Sequence, residues 1–106
     1  MTEYIQVITT TDSREEADRI AESLLKSRLA GCVQVVGPIR SKYWWKGEVE
    51  EAEEWLCIVK TKRDLYSEVE AAVHRVHSYE IPEILGVPVV EGSKSYLDWL
   101  EAELKK

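Results

Sequence analysis

The stretch that decides the fold runs from residue 13 to residue 36 and reads SREEADRIAESLLKSRLAGCVQVV. Ser13 and Glu16 have the spacing of a capping box, which marks the N-terminus of a helix. Apolar residues then recur at the helical period, at Ala17, Ile20, Ala21, Leu24, Leu25 and Leu29. Gly31 is the expected stop, and the apolar run over residues 32–36 predicts a strand. The stretch therefore predicts an amphipathic helix that leads directly into a strand.

Strands are predicted on both sides of this stretch. The apolar run 4–8 predicts a first strand, closed by three threonines. The second strand bends at Gly37-Pro38 and resumes over residues 39–45, and residues 49–61 return as a third strand. A two-residue turn at Lys46-Gly47 would place Lys42 opposite Glu51 and Arg40 opposite Glu53. Opposite charges in that register support a long hairpin arm.

The remaining elements complete one domain over residues 1–106. Asp64 is the expected cap of a second helix, whose apolar stripe runs from Leu65 to Val76. Residues 84–90 predict a fourth strand, and Pro88 within it indicates a sheet edge. A last helix is expected to start near Ser95. The order βαββαβ plus a C-terminal helix predicts an α+β fold, the ferredoxin-like sandwich.

The predicted sheet has too many apolar residues for one covered face. Helices cover a single face of such a sheet, so its strands should alternate between apolar and polar residues. Residues 55–59 (WLCIV) are apolar at both odd and even positions, so both faces of the strand are apolar there, and the same holds for residues 84–85 and 89–90. Because the chain has no spare element to cover the second face, we expect other subunits to cover it.

Composition and charge exclude several classes of function. Twenty acidic and 14 basic residues give a net charge of −6, which disfavours nucleic-acid binding. No apolar run approaches the roughly 20 residues of a membrane helix, so no membrane partner is expected. No signal-peptide pattern follows Met1, and the expected location is cytoplasmic. The absence of Asn together with 32% charged residues is a thermophile-like bias that predicts thermostability.

The two cysteines do not form a metal or redox motif. Cys32 and Cys57 lie 25 positions apart within apolar runs, with no CxxC pair. Free cysteine is often a small buried hydrophobic residue, and neither thiol has an adjacent cationic activator. We expect both to stay reduced and to react slowly.

The segment between the second helix and the fourth strand is the candidate ligand site. It reads HSYEIPE over residues 77–83 and combines an imidazole, a phenol and two carboxylates with a rigid proline. Loops held by a scaffold are common binding positions, although a rigid connector with solvated carboxylates explains the same residues. The predicted ligand-binding residues are Lys60, His77, Tyr79, Glu80 and Glu83, with Lys60 supplying a cation for an anionic ligand.

Two further patterns leave alternatives open. His74 and His77 have i, i+3 spacing and would fit one metal ion, or they are a solvated and a helix-terminal histidine. Five glutamates over residues 48–54 are either a solvated hairpin arm or a cation-binding patch.

The aromatic residues Tyr43, Trp44 and Trp45 at the end of the arm favour subunit contact, since Trp and Tyr are enriched at interface anchors.

Enzyme motifs are weak in this sequence. No GxSxG is present, and neither cysteine lies beside a histidine in a catalytic motif. Residues 31–40 (GCVQVVGPIR) faintly resemble the phosphate-cradling loop of acylphosphatases. Val35 stands where that loop needs a glycine, and the stretch follows helix 1 instead of preceding it. A small hydrolase and a pure assembly scaffold are therefore the alternatives to a ligand-binding function.

The sequence as a whole resembles the CutA family of divalent-cation tolerance proteins. The residues that carry the resemblance are Arg28–Val33, Tyr43–Glu48, Lys60–Thr61, His77–Glu83 and Tyr96–Leu100. The resemblance implies a cytoplasmic homotrimer of ferredoxin-like subunits, similar to PII signalling proteins. It also implies a loose link to copper and other divalent ions, and no catalytic activity.

The chain departs from the family pattern at the metal site. Ser78 and Gly31 stand where relatives usually have Pro and Ala. The resemblance to some bacterial members implies a copper site formed by one cysteine and two histidines. At the corresponding positions this chain has Thr9, Val76 and His77. With His77 as the one retained ligand, Cu²⁺ or another divalent cation is expected to bind weakly, and no cofactor is required.

Overall fold

The computed structural model describes residues 3–106, so the first two residues of the predicted domain lie outside the described part. The elements are β1 Tyr4–Thr11, α1 Arg14–Lys26, β2 Cys32–Trp45, β3 Glu48–Lys62, a 3₁₀ turn Arg63–Leu65, α2 Tyr66–Val76, β4 Ile84–Pro88 and α3 Lys94–Glu103. The strands form one antiparallel sheet in the order β2-β3-β1-β4. The predicted α+β ferredoxin-like topology is confirmed, with β4 at an edge.

The predicted hairpin register is confirmed. Arg40 pairs with Glu53 and Lys42 pairs with Glu51. Lys46 and Gly47 both have positive φ, at 51° and 85°, as a tight two-residue hairpin turn requires. The register shifts between Val36 and Ile39, where the sequence predicts a bend. The arm therefore continues the sheet as a two-stranded ribbon.

Four predicted element ends were wrong, and one of them is the end of β4, which lies at Pro88 instead of residue 90. Helix α1 ends at Lys26 instead of Gly31, because Arg28 takes the left-handed conformation (φ 62°) and Leu29 N–H donates to Leu24 O. Strand β1 continues through Thr11, since its threonines pair with residues 55–57 of β3. Asp64 caps no helix, because it lies in the 3₁₀ turn that precedes α2 and makes no side-chain cap.

The core lies between the sheet and the helices α1 and α2. Its fully buried members include Val7 of β1, Val59 of β3, and Leu24 and Val73 of the helices. The C-terminal helix α3 closes one end of the sheet, where Glu101 accepts from Tyr4 Oη and Lys62 Nζ. Val7 and Val59 are paired and buried, so the strand residues of their parity face the helices.

The second face of the sheet carries apolar side chains that no helix covers. Residues of one parity share this face: Ile8, Leu56 and Ile58, with Leu85 and Val87 of β4 and Val36 of β2. Leu85 is 54% exposed and Val36 is 45% exposed. The two-faced apolar strands predicted from the sequence are therefore present. We name this surface the open face.

Candidate functional site

A cleft of about 740 Å³ lies between the hairpin arm and the connector 77–83. Its lining comes from the arm (Ser41, Lys42, Tyr43, Trp44, Trp45, Glu50 and Glu54), the end of β1 (Thr10 and Asp12) and the connector (Tyr79, Glu80, Ile81 and Glu83). This volume is ordinary for a small-molecule site. We name it the arm cleft.

Strand register explains why the arm cleft forms on the open face. Tyr43 is paired with Glu50, and Ile39 with Glu54, so the odd-numbered residues of the outer β2 share a face with even-numbered β3 residues. Thr10 is paired with Leu56 on that same face. The register shift at Gly37-Pro38 changes the parity of β2 and thereby directs Tyr43 toward the connector.

Glu54 is the most buried carboxylate of the arm cleft. Its residue is 5% exposed, and its Oε2 accepts from Tyr79 Oη at 2.7 Å. Burial and the adjacent Glu54 carboxylate raise the pKa of the Tyr79 hydroxyl well above its usual value of 10.0, so this phenol stays a donor. Within residues 3–106, no cationic side chain forms an ion pair with Glu54.

The rest of the lining is strongly acidic. The carboxylates are Asp12, Glu50, Glu54, Glu80 and Glu83, and the single basic residue is Lys42. Lys42 Nζ lies 3.9 Å from Oε1 of Glu51, a carboxylate outside the cleft. Glu83 accepts a long hydrogen bond of 3.5 Å from Thr10 Oγ1. The arrangement is suited to a positively charged ligand.

His77 does not face the arm cleft. Its side chain has no exposed area, and its Nε2 donates to Thr10 O at 2.7 Å. Its Nδ1 accepts from Tyr79 N–H at 3.2 Å. With both ring nitrogens bound to the backbone, the imidazole offers a metal ion no lone pair unless one of these bonds breaks. The metal role predicted for His77 gains no support from this position.

Glu16 is a second buried carboxylate, on the opposite side of the connector. It is 3% exposed, and its Oε2 accepts from Ser78 N–H and Ser78 Oγ, each at 3.3 Å. Ser13 Oγ accepts from Glu16 N–H as the capping box predicts, while the Glu16 carboxylate binds the connector instead of Ser13 N–H. Glu16 therefore ties α1 to the connector.

The structure brings together three of the five predicted ligand-binding residues. Tyr79, Glu80 and Glu83 line the arm cleft, and His77 supports the connector from behind. Lys60 lies six positions along β3 from Glu54, about 20 Å at the usual strand rise. Within one protomer, Lys60 therefore does not share a site with Tyr79.

Sequence reasoning missed Glu54 as a site residue. It belongs to the glutamate run that was interpreted as a solvated arm, with a cation-binding patch as the alternative. Glu54 lies on the same strand face as Leu56 and Ile58, which is the open face, and Glu50 of the same parity is exposed. Parity therefore gave no signal for the burial of Glu54, which comes with its contact to Tyr79 of the connector.

Trp44, predicted as an interface residue, lines the arm cleft near the tip of the arm and is 75% exposed. The cysteines and the predicted phosphate-loop resemblance lie away from the cleft. Both cysteines are free, and burial together with the nearby Asp18 and Glu16 raises the pKa of the Cys57 thiol to about 11. Residues 32–40 form part of strand β2, which is an extended ladder and not a phosphate-cradling loop. Within residues 3–106, no helix is long and apolar enough to span a membrane.

Comparison with known proteins gives consistent matches. The model of the family described as CutA1 divalent ion tolerance protein matches residues 5–103. The divalent-cation tolerance protein CutA of Archaeoglobus fulgidus is 45% identical over 92 residues, which cover 87% of this chain and 89% of the relative. The names of these relatives describe cation tolerance and not an enzymatic activity.

Solved structures agree with the fold. The divalent cation tolerance protein (Cut A1) from Thermus thermophilus superposes with a TM-score of 0.94 at 39% identity, over 96% of this chain and 99% of that chain. The periplasmic divalent cation tolerance protein CutA from Archaeoglobus fulgidus superposes with a TM-score of 0.93 at 40% identity, with the same coverages of 96% and 99%.

Proposed function

Because the chain belongs to the CutA1 divalent ion tolerance family, we propose that it acts as a non-enzymatic, homotrimeric cation-response protein. In this proposal the arm cleft lies at the border between subunits and binds a small cation. The observation that carries the proposal is the combination of an acidic cleft with a buried Glu54 that forms no ion pair within residues 3–106. A cleft lined by charges of one sign raises the local concentration of ions of the opposite sign.

The open face supports the trimer. Leu85 and Val36 are half exposed there, and large apolar patches on soluble chains usually mark contact with another protein. Trp44 projects from the arm, where a neighbouring subunit would bury it. The arm extends the molecule to 44 Å in its longest dimension, far enough for it to reach across a neighbour. A closed symmetric ring buries the same face on every copy.

Divalent ions are expected to bind weakly. The donors in the arm cleft are carboxylate and phenol oxygens, which suit hard cations better than copper. Within residues 3–106, no three acidic, His or Cys side chains are close enough together to hold a metal ion. We expect affinities on the order of micromolar or poorer for Mn²⁺ and Cu²⁺, as for a site that lacks a preformed set of ligands.

Two measurements on the purified protein test this function. Light scattering should give three times the mass of the 12.2 kDa chain, and a stable monomer at micromolar concentration would contradict the proposal. Calorimetry with Mn²⁺ and Cu²⁺ should show weak, saturable binding. Hydrolysis of an acyl phosphate would favour the acylphosphatase-like hydrolase instead, and a trimer that binds no cation would favour the assembly scaffold.

A cytoplasmic location remains part of the proposal. The relative of known structure from Archaeoglobus fulgidus is described as periplasmic. Fractionation of cells that express this chain with its native N-terminus distinguishes the two compartments.

A further inference from the structure

The buried carboxylate of Glu54 would be stabilised by a cation bound in the arm cleft. A carboxylate withdrawn from water is unfavourable unless a cation or several donors compensate its charge. Glu54 is 5% exposed, receives one described hydrogen bond from Tyr79, and forms no ion pair within the described residues. By contrast Glu16, buried to a similar degree, receives two hydrogen bonds from Ser78, and Arg19 Nη2 lies 3.9 Å from its Oε1.

The lining of the cleft indicates which kind of cation fits. A metal ion needs several ligands arranged around one point, and residues 3–106 provide no such group. An organic ammonium needs less: one or two carboxylates for its N–H groups and aromatic surface for its charge and its carbon atoms. Tyr43, Trp45 and Tyr79 provide aromatic surface along the arm cleft.

The arm already shows this type of contact. The Lys46 ammonium lies 5.7 Å from the centroid of the Trp45 ring, within the range of a cation–π interaction. Tyr79 Oη donates to Glu54, so its oxygen keeps a lone pair for another donor. Aromatic and carboxylate groups of the cleft therefore present matching surfaces to one bound ammonium.

We infer that the arm cleft binds a small organic cation with a primary ammonium group, which donates to Glu54 while its alkyl part contacts Tyr43 and Tyr79. This inference rests on the proposed function, because it names the ligand class of the same cleft. It adds that alkylammonium ions bind in preference to divalent metals.

Calorimetry on the purified protein tests the ligand class. The titrants are n-butylammonium chloride, manganese chloride and, as the control for ionic strength, sodium chloride. We expect n-butylammonium to saturate one site per protomer and to bind at least tenfold more tightly than Mn²⁺. Saturable Mn²⁺ binding without n-butylammonium binding would overturn this inference and leave the proposed function standing. Absence of both would contradict both proposals.

Three variants test the site. Glu54→Gln should weaken n-butylammonium binding at least tenfold, because the amide removes the charge. The matched control is Glu53→Gln, one residue away on the exposed opposite side of the strand and outside the arm cleft, which should stay within twofold of the parent. Tyr43→Leu keeps Glu54 and should weaken binding severalfold. Equal affinities for Glu53→Gln and Glu54→Gln, or an unchanged affinity for Tyr43→Leu, would overturn the inference.

Discussion

Glu16 and Glu54 are both buried carboxylates beside the same connector, yet the chain surrounds them differently. Glu16 accepts two hydrogen bonds from Ser78, and Arg19 Nη2 lies 3.9 Å from its Oε1, so its environment is complete without a ligand. Glu54 faces the arm cleft with Tyr79 as its one described donor. The difference teaches that burial alone does not identify a ligand site. A buried charge without compensation, at the wall of a cavity, is the stronger indication.

The largest expected effect is a difference in stability between two matched variants. Glu16→Gln should lower the free energy of unfolding by about 2 kcal/mol, because hydrogen bonds to a charged group are worth roughly 1.5–3 kcal/mol. Glu54→Gln should leave it unchanged or raise it by up to about 1 kcal/mol, since the amide keeps an acceptor for Tyr79 Oη and removes a buried charge that has no ion pair within residues 3–106. Denaturant titrations at neutral pH give both values. Equal losses for the two variants would remove the distinction between the two carboxylates.

The arm forms the wall on the Glu54 side of the connector, and variants at its tip test whether it also contacts a neighbouring subunit. Truncation of a buried interface tryptophan commonly costs about 2 kcal/mol or more. Trp44→Ala and Trp45→Ala are therefore expected to dissociate the proposed trimer at concentrations at which the parent stays assembled, and to lower the melting temperature. Trp99→Ala, an exposed tryptophan of α3, is the control. Light scattering that shows unchanged trimers for both arm variants would refute the role of the arm in assembly.

Alkaline pH probes the Tyr79–Glu54 pair. Burial and Glu54 raise the pKa of Tyr79 above its usual value of 10.0. The unfolded chain therefore loses this proton first as the pH rises, and the free energy of unfolding falls above about pH 10. Tyr79→Phe removes this contribution, so its stability should fall less steeply than that of the parent as the pH rises from about 10. Parallel curves would show that Tyr79 titrates as it does in water.

Thr9, on the helix side of the sheet, is a buried polar residue that, unlike Glu54, carries no charge. Thr9 is fully buried, and its Oγ1 has no hydrogen-bond partner within residues 3–106. Thr9→Val keeps the shape and removes the orphaned hydroxyl, so the variant should be more stable by up to about 1 kcal/mol. A loss of stability in the variant, measured by denaturant titration, would reveal a partner for this hydroxyl.

The sequence predicts the elements and the sheet because their signals are local. Helical periodicity in α1 indicates the element type, and the two-residue turn at Lys46-Gly47 places Arg40 opposite Glu53 and Lys42 opposite Glu51. The end of α1 was mispredicted because Arg28, not Gly31, takes the left-handed conformation, and propensity favours glycine there.

The site was predicted in part for a similar reason. Tyr79, Glu80 and Glu83 are close in sequence, so one motif reveals them. Glu54 is 25 residues from Tyr79, and Glu16 is 62 residues from Ser78. Contacts over such separations depend on how the arm and the connector pack, which no local pattern encodes. For the same reason, the burial of His77 could not be distinguished from an exposed helix end.

The central claim is that Glu54, and not Glu16, is the carboxylate left for a cation. Carboxyl ¹³C NMR of the glutamate-labelled protein, titrated with n-butylammonium chloride against a sodium chloride reference, measures each group directly. The account predicts a saturable shift of the Glu54 resonance, assigned from its loss in Glu54→Gln, while the Glu16 resonance stays fixed. A stationary Glu54 resonance, with small unsaturated shifts of the exposed arm glutamates, would contradict it.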